Sequence, residues 1–141
     1  MSMFAWADTS FLYALFAKND QNHVKAQAIW GACIKHRVNS VVSNLIVSEL
    51  GTLLAYRFDH AIALRNVRMV LDSAVITKIY VDSEVETASL AWWGKYRDQK
   101  FSMVDCVSFE LMRRTGIRKA LSFDLDFSIA GFERVIGPHM I

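Results

Sequence analysis

Met3-Phe4-Ala5-Trp6-Ala7-Asp8-Thr9-Ser10 runs apolar from Met3 to Ala7 and then stops at a carboxylate and two hydroxyls. A short apolar run bounded by a polar cluster predicts a buried strand of a parallel sheet, and such strands deliver their functional groups from their carboxyl ends. Asp8 falls at that end. A second reading makes Asp8 the cap of the following helix, with Phe11, Leu12, Leu15 and Phe16 as its apolar face. Three later stretches each bring a further acid to the same edge and so bear on the choice.

Outward from this stretch, helical patterning covers 10–17 and, after the break Lys18-Asn19-Asp20-Gln21-Asn22, 23–36. A strand is predicted over 39–42, with Ser43 as the N-cap of a helix over 44–58 and Asp59 as the cap of another reaching Asp72. A third strand spans 75–81, where Thr77 and Tyr80 suit a pleated surface. Ser83 and Glu86 have capping-box spacing before a helix to Arg97, and Ser102 opens a helix that stops at Gly116. A fourth strand at 119–122 leads into the turn-rich Phe123-Asp124-Leu125-Asp126, a short helix over 127–130 and an edge strand over 134–136. Strands alternating with helices, without hairpin signals, predict an α/β fold with a parallel sheet covered on both faces.

With 141 residues and 53% apolar side chains, the chain has the size and composition of one domain, read here as 1–141, with one packed core. A formal charge of +2 permits an anionic partner without requiring one. Cys33 and Cys106 lie outside any CxxC pattern, no secretory signal is evident, and no apolar run approaches the roughly 20 residues that span a bilayer. A soluble, cytoplasmic protein with free thiols and no membrane partner is the expectation.

The acids carry the chemistry. Glu49 follows Leu45 by four residues and Ile46 by three, and precedes Leu53 by four, which puts it on the apolar stripe of its helix. An unpaired carboxylate there costs several kcal/mol, so a partner is expected; the other reading is a glutamate at the stripe's edge that reaches solvent. Asp105 shares a face with Phe109 and Met112, yet Ser102-x-x-Asp105 is also a capping-box spacing. Asp124 and Asp126 follow the fourth strand, where turn residues are common. In a parallel sheet, residues after a strand and residues early in a crossover helix share the carboxyl edge, so Asp8, Glu49, Asp105 and Asp124 converge there. Two carboxylates about 4 Å apart repel by roughly 4 kcal/mol at an effective dielectric near 20, and such a cluster needs protons or cations. Oxygen-only ligands point to Mg²⁺ or Mn²⁺; His23, His36, His60 and His139 have no metal-ligand spacing.

Asp8-Thr9-Ser10, Ser48-Glu49-Leu50, the run from Ser102 through Asp105 to Phe109, and Ser122-Phe123-Asp124-Leu125-Asp126-Phe127 before Ala130-Gly131-Phe132 together resemble the PIN-domain family. The likeness covers nearly the whole chain and is greatest to the VapC-like toxins of bacterial and archaeal toxin–antitoxin pairs. It implies a three-layer α/β/α sandwich with strand order 3-2-1-4-5 and a Mg²⁺- or Mn²⁺-dependent endoribonuclease. By position, Asp8, Glu49 and Asp105 match the family's acidic triad and Asp124 its fourth acid. Asp126 falls at a variable position, to bind metal through water or shape the turn, and Thr9, Ser10 and Ser122 match supporting hydroxyls. The resemblance further implies a tRNA or ribosomal RNA substrate, a homodimer and a cognate antitoxin.

A phosphoaspartyl hydrolase or receiver fits less well, because Asp8 has no second acid two residues on. A catalytically idle metal- and partner-binding module of the same fold is the alternative. Arg113-Arg114-Thr115-Gly116-Ile117-Arg118-Lys119 reads either as a phosphate-holding cluster or as cations favoured at a helix C-terminus. Trp92 reads as core, and Trp93, off its stripe, as surface for a dimer, an antitoxin or RNA.

Overall fold

The first strand is the middle strand of a five-stranded sheet. The computed structural model describes residues 3–141. Along the chain run β1 (Met3–Ala7), α1 (Thr9–Phe16), α2 (His23–Lys35), β2 (Val38–Ser43), α3 (Asn44–Arg57), α4 (His60–Asp72), β3 (Ile76–Ile79), α5 (Ser83–Lys95), α6 (Met103–Thr115), β4 (Lys119–Leu121), α7 (Asp126–Ile129) and β5 (Glu133–Val135), then a short 3₁₀ turn at Pro138–Met140. All strand pairs are parallel and the order is β3-β2-β1-β4-β5, as the resemblance implies. Trp6 pairs with Val41 on one side and Ala120 on the other, so β1 has neighbours reached by chain segments running in opposite directions. That is the topological switch point of an open α/β sheet.

The helices form two packed groups, as right-handed crossovers require. α1 packs on α2 and α3, and α3 on α4, while α5 packs on α6 and α6 on α7. Gly51 permits the close approach within the first group, since a Cβ there would meet a Val67 methyl at 3.1 Å. Trp6, Phe11, Leu12, Ile46, Leu50, Leu54 and Leu121 are fully buried in the core. In the second group Phe109 has Phe101 and Phe127 edge-on at 5.0 and 5.1 Å and Trp92 at 5.4 Å.

Local chemistry sets the element ends. Ser43 and Asp59 cap α3 and α4 through the amides of Ile46 and Ile62, and Gly116 ends α6 at φ 74°. The cap of α5 is Asp82, which accepts from the Val85 amide, so Ser83 is instead the first residue of the helix. β3 is shorter than its apolar pattern predicts, because the Val81 amide leaves the sheet to donate to Asn44 Oδ1 at 2.9 Å.

Candidate metal centre

Three carboxylates meet at the carboxyl edge of the sheet. Asp105, in the first turn of α6, and Asp124 and Asp126, around the turn from β4 into α7, each offer an oxygen, and these oxygens lie within 4.8 Å of one another. Asp8, at the end of β1, is buried and close enough for the Asp105 charge to act on it.

Asp8 serves as both cap and site residue. Its Oδ2 accepts from the Ser10 amide at 3.4 Å, from Ser10 Oγ at 2.9 Å and from Ser122 Oγ at 3.0 Å. Among the described residues no hydroxyl donates to Oδ1. The two serines also tie the strand ends together: the Phe123 amide donates to Ser10 Oγ and the Asp124 amide to Ser122 Oγ, each at 3.0 Å. Asp124 Oδ1 in turn accepts from the Asp126 amide, fixing the loop that presents both acids. Asp105 combines its two readings in the same way. Its Oδ2 accepts from the Ser102 amide at 2.9 Å in a complete capping box, and its carboxyl faces the other acids.

The electrostatics are those of a cation site. Burial pushes the Asp8 carboxyl up to about 6 against the lowering effect of the Ser10 and Ser122 hydrogen bonds, with Asp105 adding to the rise. Burial also raises Asp105, together with the Asp124 charge, and takes Asp126 up to about 7 with help from Asp124 and Asp105. Carboxylates this close retain protons unless a cation takes their place. The donor set is all oxygen, and it fits a hard divalent ion such as Mg²⁺ or Mn²⁺. The Thr9 hydroxyl beside Asp8 is buried without a hydrogen-bond partner.

Glu49 departs from its expected environment. The core-facing stripe of α3 is Ile46, Val47, Leu50 and Leu54, and Glu49 stands beside it, exposed and outside the three-carboxylate cluster. The reading that reached solvent at the stripe's edge is the correct one. Glu49 and Val104 nevertheless line one cavity, so Glu49 lies on the same rim as Asp105.

Arg113 and Arg114 are engaged elsewhere. Arg113 Nη2 and Arg114 Nε donate to Glu110 Oε2 at 2.7 and 2.6 Å, Trp92 Nε1 donates to Glu110 Oε1 at 3.1 Å, and Arg114 makes a two-pronged pair with Glu84. The Glu84–Arg114 pair and the Trp92–Glu110 hydrogen bond hold α5 to α6, while the Glu110 pairs with Arg113 and Arg114 lie within α6. Glu110, buried at 4% exposure, was not singled out from the sequence, although Glu110 with Arg113 and Arg114 at i+3 and i+4 was a visible signal.

A family model described as PIN domain matches residues 6–133. The chain is 36% identical over 132 residues to the protein named 23S rRNA-specific endonuclease VapC20 of Mycobacterium tuberculosis, covering 92% of this chain and 96% of that one. It is 28% identical over 129 residues to a VapC ribonuclease of Archaeoglobus fulgidus, covering 90% and 81%. Among solved structures, Mycobacterium tuberculosis VapC20, described as a sarcin-ricin loop cleaving toxin, superposes with a TM-score of 0.85 at 33% identity over 93% of this chain and 98% of that one.

Proposed function

The chain belongs to the PIN-domain family, and from that premise we propose that it is a metal-dependent endoribonuclease, the VapC-type toxin of a toxin–antitoxin pair. The observation that carries this reading is the convergence of Asp105, Asp124 and Asp126 beside Asp8 with nothing but oxygen donors. Of the two RNA classes expected, ribosomal RNA is favoured, because the relative at 36% identity is named for 23S rRNA.

Asp8, Asp105 and Asp124 would hold one or two Mg²⁺ or Mn²⁺ ions, with Asp126 and, from the rim, Glu49 as further ligands. Bound metal supplies Lewis-acid charge and a water of lowered pKa. The protein's part is placement. Ser10 and Ser122 restrain one oxygen of Asp8, the Ser102 box aims Asp105, and the Asp124 turn aims Asp126. Burial and crowding favour the protonated forms of Asp8 and Asp126, so a cation held there would displace protons. In-line attack of water on phosphorus would break the P–O3′ bond, the 3′ oxygen taking up a proton, and leave a 5′-phosphate and a 3′-hydroxyl.

A cognate antitoxin and a homodimeric state belong to the same reading, and VapC20, the relative of known structure, is itself described as a toxin. Tyr56, 88% exposed, with Leu45 and Leu53 along α3, offers apolar surface to such a partner.

The test is cleavage of total RNA by purified protein with Mg²⁺ or Mn²⁺ against EDTA, comparing wild type with Asp8→Asn and Asp105→Asn. Discrete fragments bearing 5′-phosphates, formed only with metal and only by wild type, are expected. Equal inertness of all three with metal and without antitoxin would sink the nuclease reading and leave an idle binding module.

A further inference from the structure

We propose that the turn joining α5 to α6 is the platform on which the RNA strand lies beside the carboxylate cluster: Trp93 stacks an unpaired base, and Arg97 and Lys100 hold the phosphates around it. This rests on the ribonuclease reading and deepens it.

Position comes first. α5 and α6 run antiparallel, since Glu84 at the start of α5 binds Arg114 at the end of α6, while Trp93 near the end of α5 binds Phe101 just before α6. α6 leads into β4, so its end lies at the amino edge of the sheet and its start, with Asp105, at the carboxyl edge. The α5–α6 turn therefore stands on the rim that carries the acids.

Trp93 is built as a fixed aromatic surface. Its Nε1–H donates to the Phe101 carbonyl at 2.8 Å, and Phe101 is itself buried against Phe109. The residue remains 41% exposed with its side-chain polar atom already satisfied. Trp92, its neighbour, turns inward onto Tyr96 and Phe109. A fixed, partly exposed indole face suits an unpaired base, and nucleotide stacking on aromatic side chains is sequence-tolerant.

The charge argument is independent. A cluster of carboxylates repels a polyanion, so the approaching strand needs cations nearby. Arg113 and Arg114 are already committed to Glu110 and Glu84. Lys95 lies over the Tyr96 ring on the other side of α5, but Arg97 and Lys100 are exposed, form no salt bridge among the described residues, and are opposed within the turn only by Asp98.

The experiment titrates EDTA-treated wild type, Trp93→Leu, Trp93→Phe and the double variant Arg97→Gln/Lys100→Gln against two fluorescein-labelled RNAs. One is a hairpin with an unpaired loop; the other is a fully paired duplex containing the loop sequence. Trp93→Leu should weaken hairpin binding about tenfold or more and leave duplex binding unchanged, whereas Trp93→Phe, which retains a ring but not the bond to Phe101, should keep most of the affinity. The double variant should weaken both and flatten the slope of log affinity against log salt by about 1.4, or about 0.7 per lost phosphate contact. Its substitutions lie on an exposed turn, so it tests the platform even if Trp93→Leu fails to fold. Unchanged hairpin affinity and salt slope in the double variant, with wild type cleaving RNA in Mg²⁺, would overturn the platform alone. A wild type that neither binds nor cleaves RNA overturns the ribonuclease reading and the platform with it.

Discussion

Ser122 Oγ donates to Asp8 Oδ2 at 3.0 Å across a chain separation of 114 residues, and this bond joins the ends of two neighbouring central strands at the acidic rim. It favours the charged form of Asp8, so its loss moves the carboxyl upward from about 6. Ser122→Ala should therefore shift the acid limb of the pH–activity profile to higher pH. It should also weaken Mg²⁺ activation by about 10- to 100-fold, as loss of a group that orients a metal ligand does. Mg²⁺ titrations of RNA cleavage at several pH values check both; an unchanged acid limb would contradict the role given to Ser122.

Burial, with crowding added to it, makes the acidic carboxyls of the metal-free protein a source of instability. Asp8 and Asp126 have folded values of about 6 and about 7, against 3.8 for an ordinary aspartate. A raised acid pKa gives a contribution fully present below about pH 4 that is lost as pH rises through the folded value. Metal-free stability should accordingly decline between about pH 4 and pH 7, while saturating Mg²⁺ opposes the decline. Asp126→Asn, which removes one of the repelling charges, should stabilise the metal-free protein by about 1 kcal/mol and reduce the gain from Mg²⁺. Thermal melts with EDTA and with Mg²⁺ across this range decide the matter.

Much of this site was legible because its signals are local. Five apolar residues ending at Asp8, the Ser102–Asp105 spacing and the turn at Asp124 each announce a strand end or a helix start, and parallel topology puts those on one edge. Glu49 was harder. Its spacing from Leu45, Ile46 and Leu53 fits the stripe, but Leu45 and Leu53 are only half-buried, so the stripe they define is rotated from the true core face of Ile46, Val47, Leu50 and Leu54. The fate of Arg114 was beyond local reading, because its partner Glu84 lies 30 residues away on another helix. Trp93 reads as surface from its spacing alone, but its closeness to the acids depends on α5 and α6 running antiparallel.

Glu110 should contribute more to stability than any exposed acid. Its carboxylate is held down at about 2, chiefly by the hydrogen bond from Arg113, and Trp92 and Arg114 also donate to it. A depressed acid pKa gives stability that is complete above the ordinary glutamate value and lost as pH falls through the folded value, here between about pH 4.5 and about pH 2. Glu110→Gln should cost about 1–3 kcal/mol at neutral pH, because the two guanidinium groups lose the charge of their shared acceptor and one of its two oxygens becomes a donating NH₂. Glu84→Gln, on an exposed side chain, should leave the melting temperature nearly unchanged. Denaturant unfolding of the two variants at neutral pH makes the comparison, and equal losses would contradict it.

Glu49 separates function from stability most cleanly. It is exposed, makes no hydrogen bond or ion pair among the described residues, and stands outside the three-carboxylate cluster. Replacement by glutamine should shift stability by less than about 0.5 kcal/mol, as surface substitutions do. Its place on the Asp105 rim still gives it a part in holding metal, so Glu49→Gln should lower Mg²⁺-dependent cleavage by about 10- to 100-fold. Asp105→Asn should lose activity too, but it alters the capping box and relieves repulsion among the acids, so its metal-free melting temperature should move. Cleavage and thermal melts measured on the same two preparations distinguish these patterns. Full activity in Glu49→Gln would leave the work of the rim to the aspartates alone.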